Sequence, residues 1–196
     1  MKVDDLVERA RKLKEKGLTI GEIASELNVS RETAMWLLAK VREDKVISDV
    51  YVDLRAISNP YRMRSVANAM ADMICETVDE NPDVVVGIAT SGIPIATFVA
   101  EALDADLSMY YPKKLKWEGE ESRVGGVFSE NFAKVDGKNC VVVDNVITTG
   151  NTIRETIEQV KNRKGNVLCS AVIIDKKGLS EIENVPLLSL FKIVRI

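Results

Sequence analysis

The sequence predicts an α/β protein with a parallel central sheet, preceded by a small all-α domain. Three observations carry this. Two apolar segments, VVVGIAT from Val84 and VVVDN from Val141, each run into a short polar turn and then a helical repeat, the order of a strand-helix unit in a buried parallel sheet. The first 45 residues repeat apolar side chains at helical spacing, with caps between the repeats. At 196 residues and 46% hydrophobic composition, the chain can bury one medium-sized core and carry an accessory domain, divided here as 1–45 and 46–196.

In the first domain, Leu6, Val7, Ala10 and Leu13 mark one helix, which Gly17 ends. Thr19 followed by Glu22 forms a capping box before a helix over 20–27. After a turn at Asn28 and Val29, Ser30 caps a third helix with Ala34, Leu37, Leu38 and Val41 inward. The segment LTIGEIASELNVSRETAMWLLAKV resembles a helix-turn-helix, with Ile20, Ala24, Val29, Leu37 and Leu38 packing its two helices. That resemblance implies double-stranded DNA as a partner, with Thr19, Ser30, Arg31, Glu32, Thr33, Met35 and Trp36 at or near the reading surface. The bland alternative is a helical dimerisation or capping domain that never touches DNA, and Trp36 fits a core position equally well. Ten Lys and Arg against nine Asp and Glu in 1–45 give a nearly neutral domain, so DNA affinity would lean on dimerisation and on the helix terminus.

The following stretch 46–54 alternates like a strand, either a wing of the helical domain or an edge strand of the next. Val66, Ala69, Met70, Met73, Ile74 and Val78 then predict a long amphipathic helix. VVVGIAT, the turn SGIP and the helix IATFVAEALD make one strand-helix unit, and 107–111 reads as the next strand. A charged, glycine-bearing stretch over 112–126 leads to the strand 139–143, its helix, and a strand over 167–174.

The composition excludes some chemistry. With no histidine, the usual near-neutral general base and the usual nitrogen metal ligand are missing, which rules out Ser-His-Asp catalysis and zinc hydrolysis. Cys75, Cys140 and Cys169, far apart and in apolar surroundings, read as buried free thiols of a cytoplasmic protein. No apolar run is long enough to span a membrane. What remains is the carboxyl edge of the sheet, where VVVDNVITTGNTIRE places a carboxylate and a Thr-Thr-Gly turn at a helix start. Backbone N–H groups of Thr148, Thr149, Gly150 and Asn151 would be unpaired donors suited to a phosphate, and the Asp144 carboxylate could accept both protons of a sugar diol.

From about Tyr51 the chain resembles type I phosphoribosyltransferases, closest to the orotate enzymes, through VVVDNVITTGNT. The resemblance implies a phosphoribosyl pyrophosphate loop in which Asp144 and Asn145 lie near the ribose hydroxyls and Thr148, Thr149, Gly150, Asn151 and Thr152 surround the 5-phosphate. It makes Thr90, Ser91 and Gly92 the pyrophosphate turn, with Mg²⁺ an ion that could come with the ligand. Read by charge alone, Lys113, Lys114 and Lys116 either fold over the pyrophosphate and supply the remaining charge or form an ordinary solvated hairpin. Asn145 stands where the family carries a second acidic residue, so one counter-charge for a developing ribosyl cation is missing while binding groups are kept. A helix-turn-helix joined to such a domain resembles the archaeal phosphoribosyltransferase-like regulators of sugar catabolism. This implies a homodimeric transcriptional regulator that senses phosphoribosyl pyrophosphate or a related sugar phosphate; the alternative is an active orotate or purine phosphoribosyltransferase.

Overall fold

The computed structural model describes residues 3–39, 49–115 and 125–194. The chain divides into two compact units, Met1–Leu54 with Lys114–Glu120, and Arg55–Lys113 with Glu121–Ile196.

The smaller unit holds α1 (Val3–Glu15), α2 (Ile20–Glu26) and α3 (Arg31–Ala39) around Ala10, Ile23, Leu27, Val29, Ala34 and Leu37. The capping box is present: the Thr19 hydroxyl accepts from Glu22 N at 3.3 Å, and the Glu22 carboxylate accepts from Thr19 N at 2.7 Å. Such a cap stabilises a short helix by about 1 kcal/mol. The described part of the expected strand, 49–54, is not a strand. Its groups are spent on the helices instead: Tyr51 receives a 2.8 Å bond from Arg9 Nη1, and the Val52 carbonyl accepts from Asn28 Nδ2 at 3.4 Å. The unit extends to Leu54, beyond the break expected at 45 from the end of the helical pattern. Val41, and residues 46–48 of that strand, lie outside the described residues.

The larger unit adds a short 3-10 turn (Arg55–Ile57), α4 (Pro60–Thr77), β1 (Val84–Ile88), α5 (Gly92–Leu103), β2 (Asp106–Tyr111), β3 (Val127–Phe128), β4 (Asn139–Ile147), α6 (Asn151–Asn162), β5 (Asn166–Asp175), β6 (Glu181–Ile182) and β7 (Val185–Lys192). The strands form one sheet in the order β3-β2-β1-β4-β5-β7-β6, parallel except where β3 and β6 join its edges. One core holds Ala67, Met70 and Ile74 of α4 with Ile95, Ala96 and Val99 of α5; the other holds Ile153, Ile157 and Val160 of α6. The buried stripe of α4 is Ala67, Met70, Ala71 and Ile74, while Ala69, expected inside, is exposed. The chain leaves β1 through α5 toward β2 and leaves the adjacent β4 through α6 toward β5, in opposite directions along the sheet, which makes the β1–β4 boundary the topological switch point.

Two of the three cysteines meet the expectation of burial. Cys140 and Cys169 are buried, and desolvation pushes each thiol up to about 12, whereas Cys75 lies on the exposed side of α4. The thiolate is the nucleophile, so iodoacetamide at pH 8 is expected to add to Cys75 alone in the native protein and to all three in denaturant, as read by intact mass.

Candidate functional site

At the switch point the turn that opens α5 meets the end of β4. Sequence reading ends β4 at Val143, but the strand runs on through Ile147, because its pairing with β5 continues to Ile147 and Asp175. Asp144 and Asn145 are thus strand residues. Asp144 is 8% exposed and its Oδ1 accepts from Asn145 N at 2.8 Å, while Asn145 Oδ1 accepts from Val146 N at 2.7 Å. Gly92, the first residue of α5, backs directly onto this carboxylate: a Cβ there would stand 2.8 Å from Asp144 Oδ1 and 3.1 Å from the Val143 carbonyl. Residues 52 positions apart in sequence, predicted separately as sugar and pyrophosphate groups, therefore share one wall.

The helix starts at this wall differ from the others. Thr19 caps α2 and Asn59 caps α4 through side-chain oxygens, but neither Ser91 before α5 nor Gly150 before α6 makes a side-chain cap. Gly150 takes φ 84°, a left-handed conformation that a side chain would strain, and it turns the chain from strand into helix within Thr148 and Thr149. At these starts Ile93 N is held by the Thr90 carbonyl at 3.4 Å and Asn151 N lies against Thr149 Oγ1, long contacts at a kind of helix start that suits an anion. Thr149 and Asn151 are exposed, Thr148 and Thr152 half-buried, with Thr149 Oγ1 only 3.5 Å from Asn151 N and Asn151 Oδ1 accepting from Arg154 Nη1 at 3.2 Å. Thr90 is exposed and Ser91 half-buried in the facing turn.

Lys113 is exposed and belongs to the larger unit, Lys114 is half-buried and belongs to the smaller one, and Lys116 lies outside the described residues. The backbone N–H of Lys113 donates to Glu155 Oε1 at 2.8 Å, a partner that sequence reading missed because it sits among ordinary polar positions of an amphipathic helix. Asp175 was also missed: fully buried at the end of β5, it collars the next turn by accepting from Lys177 N, Gly178 N and Leu179 N at 2.7, 2.9 and 2.8 Å. An Asp closing an apolar strand ahead of Lys-Lys-Gly was the available signal.

On the helix-turn-helix, the outward face of α3 shows Arg31, Glu32 and Met35, the last 44% exposed. Thr33 is buried, and its hydroxyl is tied to Ser30 Oγ and to Asp49 Oδ2, each at 2.8 Å. Asp49 Oδ2 also takes Ser30 N at 2.8 Å. The start of α3 thus already holds a carboxylate, and a DNA phosphate does not find there the open helix terminus that the sequence suggested. Trp36 is half-buried against the core of the unit. The Thr19 side chain is engaged in its own capping box.

Residues 56–194 match the family model of the phosphoribosyl transferase domain. The transcriptional regulator GfcR of Archaeoglobus fulgidus is 55% identical over 195 residues, covering 100% of this chain and 99% of that protein. GfcR of Haloferax volcanii is 43% identical over 205 residues, covering 99% and 97%. Among solved structures, the orotate phosphoribosyltransferase of Aeropyrum pernix is similar with a TM-score of 0.57 at 27% identity, over 78% of this chain and 86% of that one. The Mycobacterium tuberculosis enzyme, solved with 5-phospho-alpha-D-ribosyl 1-diphosphate, shares the fold with a TM-score of 0.57 at 22% identity, over 72% and 80%. Among the described residues no helix is long and apolar enough to cross a membrane. A three-helix unit ahead of a phosphoribosyl transferase domain, matched along its whole length by archaeal regulators, places this chain in the GfcR family of transcriptional regulators.

Proposed function

We propose that the protein binds operator DNA through its N-terminal three-helix domain and a phosphoribosyl metabolite, phosphoribosyl pyrophosphate or a related sugar phosphate, at the switch point, and that the ligand alters DNA affinity. The carrying observation is that two helix starts without side-chain caps follow adjacent strands, α5 after β1 and α6 after β4, with Gly92 of α5 packed on the buried Asp144 of β4. Two anionic groups joined by a sugar diol suit that arrangement: amides of 148–152 take one phosphate, Thr90, Ser91 and Gly92 the other, and Asp144 the hydroxyls between. Among the described residues no group of three or more His, Cys, Asp or Glu could hold a metal ion. Mg²⁺ would come with the ligand, and the Asp144 carboxylate, a hard oxygen donor, is the side chain of this site suited to it.

Family membership favours this reading over an active transferase, and Asn145 agrees with it. Asn145 is already bonded to Val146 N and brings no negative charge to a ribosyl centre. Ground-state binding needs only the donors and Asp144; turnover needs more. A pyrophosphate-release assay with orotate, uracil, hypoxanthine and adenine is expected to show no robust turnover, and robust turnover with any base would favour the enzyme.

The DNA half of the proposal rests on the face formed by Arg31, Glu32 and Met35, with Thr19, Ser30 and Trp36 at its margins. A bidentate arginine on guanine is worth about 1–3 kcal/mol, and an apolar side chain can read a thymine methyl. Arg31→Ala is therefore expected to weaken specific operator binding roughly tenfold or more in gel shifts while leaving the fold intact. Unchanged binding to operator fragments would make the small domain a purely structural cap. Because one recognition helix buries little surface, the reading includes a homodimer presenting two such helices to two half-sites.

A further inference from the structure

A single carboxylate oxygen ties together the parts of the proposed ligand site. Glu155 Oε1 accepts from Tyr110 Oη at 2.8 Å, from Lys113 N at 2.8 Å and from Gly126 N at 2.9 Å. Gly126 N also lies 3.0 Å from Tyr110 Oη. Lys113 and Gly126 stand at the two ends of the charged stretch, so both ends are fixed to the same point on α6. Glu155 lies four residues beyond Asn151, a rise of about 6 Å from the start of the helix, and helical side chains lean toward the N-terminus. Tyr110 extends the link to the facing turn, since its carbonyl accepts from Ala89 N at 2.8 Å, directly before Thr90.

The chemistry of the link is one-sided. An ionised carboxylate only accepts, and three donors converge on it, two of them backbone groups that cannot rotate away. Tyr110 is fully buried, and burial followed by the bond to Glu155 raises its pKa well above the ordinary phenol value, so the hydroxyl stays a donor at working pH. The one oxygen joins the helix of the 148–152 loop, the strand that leads into the 89–92 turn, and a lysine backbone.

We propose that Glu155 is a positioning residue of the ligand site, holding Lys113 and, through Tyr110, the 89–92 turn in register with the 148–152 loop, so that a ligand with two anionic groups engages both turns at once. This rests on the phosphoribosyl reading and deepens it. A ligand with one phosphate uses the 148–152 loop alone and is indifferent to the link; a ligand carrying a pyrophosphate as well depends on it.

The test compares phosphoribosyl pyrophosphate with Mg²⁺ against ribose 5-phosphate, by calorimetry, in wild type, Glu155→Ala and Glu155→Gln. Glu155→Ala is expected to lose at least tenfold in affinity for phosphoribosyl pyrophosphate and to stay within twofold for ribose 5-phosphate. Glu155→Gln, which keeps an acceptor oxygen, should recover most of the loss. Hydrogen exchange without ligand gives a second readout: the Lys113 and Gly126 amides should lose at least tenfold protection in Glu155→Ala while β4 amides keep theirs. Equal loss for both ligands, or no loss for either, overturns the proposal, as does unchanged protection at Lys113 and Gly126. Wild-type protein that binds neither ligand overturns the phosphoribosyl reading itself, an outcome distinct from a wild type that binds and a variant that binds equally well.

Discussion

Asp175→Ala is expected to lower stability by about 3 kcal/mol, because it strips three backbone N–H groups of their acceptor at once. Its two oxygens bind Lys177 N, Gly178 N and Leu179 N, and the side chain is fully buried. Hydrogen bonds to a charged acceptor contribute about 1.5–3 kcal/mol each, and water can reach part of the turn once the carboxylate is gone, which keeps the total below the sum. For a chain of this size the melting temperature should fall by roughly 6–12 °C. Asp175→Asn keeps one acceptor oxygen and should lie between. The turn carries Leu179, whose Cδ1 would lie 3.4 Å from a Cβ on Gly150, so loosening it removes support beneath the 148–152 loop. Thermal unfolding of Asp175→Ala within about 1 °C of wild type would show that this collar contributes little.

Gly92→Ala should act mainly on the ligand. The new methyl would meet Asp144 Oδ1 at 2.8 Å, Asp144 Cα at 3.1 Å and the Val143 carbonyl at 3.1 Å. Two of those three atoms are backbone, so a rotamer change cannot relieve the crowding; either the first turn of α5 or the end of β4 must shift. Overpacking of this kind costs about 1–3 kcal/mol in stability. Asp144 shifts with β4, and the loss of its charge-assisted bonds to a diol, about 2–3 kcal/mol, corresponds to roughly a hundredfold weaker binding of phosphoribosyl pyrophosphate. Folded Gly92→Ala that binds as tightly as wild type would separate the 89–92 turn from the ligand site.

The elements with a single dominant period were legible in the sequence. The three N-terminal helices, the valine strands and the Thr-Thr-Gly turn each follow from local pattern and capping, and β1, β2, β4 and β5 lie where the apolar runs stand. What escaped was set by partners distant in the chain. The end of β4 depends on pairing with Asp175, the coil over 49–54 on contacts with Arg9 and Asn28, and β7, whose alternation begins after a hairpin at Glu183 and Asn184, on the edge of a sheet formed elsewhere. Within the candidate site, the position of the Thr-Thr-Gly turn between an apolar strand carrying Asp144 and a helix was readable from residue type. Glu155 and Tyr110 were not, since a glutamate on a polar helix and a tyrosine in a strand have no local mark, and only the fold brings them to 2.8 Å.

The central claim is that one ligand binds at the switch point and thereby changes DNA binding, and linkage makes this measurable in a single experiment. If ligand and DNA are coupled, each must change the other's affinity by the same factor. Calorimetric titration of phosphoribosyl pyrophosphate with Mg²⁺ into the wild-type protein, alone and saturated with operator DNA, is expected to give two different affinities, separated by roughly fivefold or more. Asp144→Ala is expected to bind in neither state. Identical affinities with and without DNA, or undiminished binding by Asp144→Ala, would contradict the account.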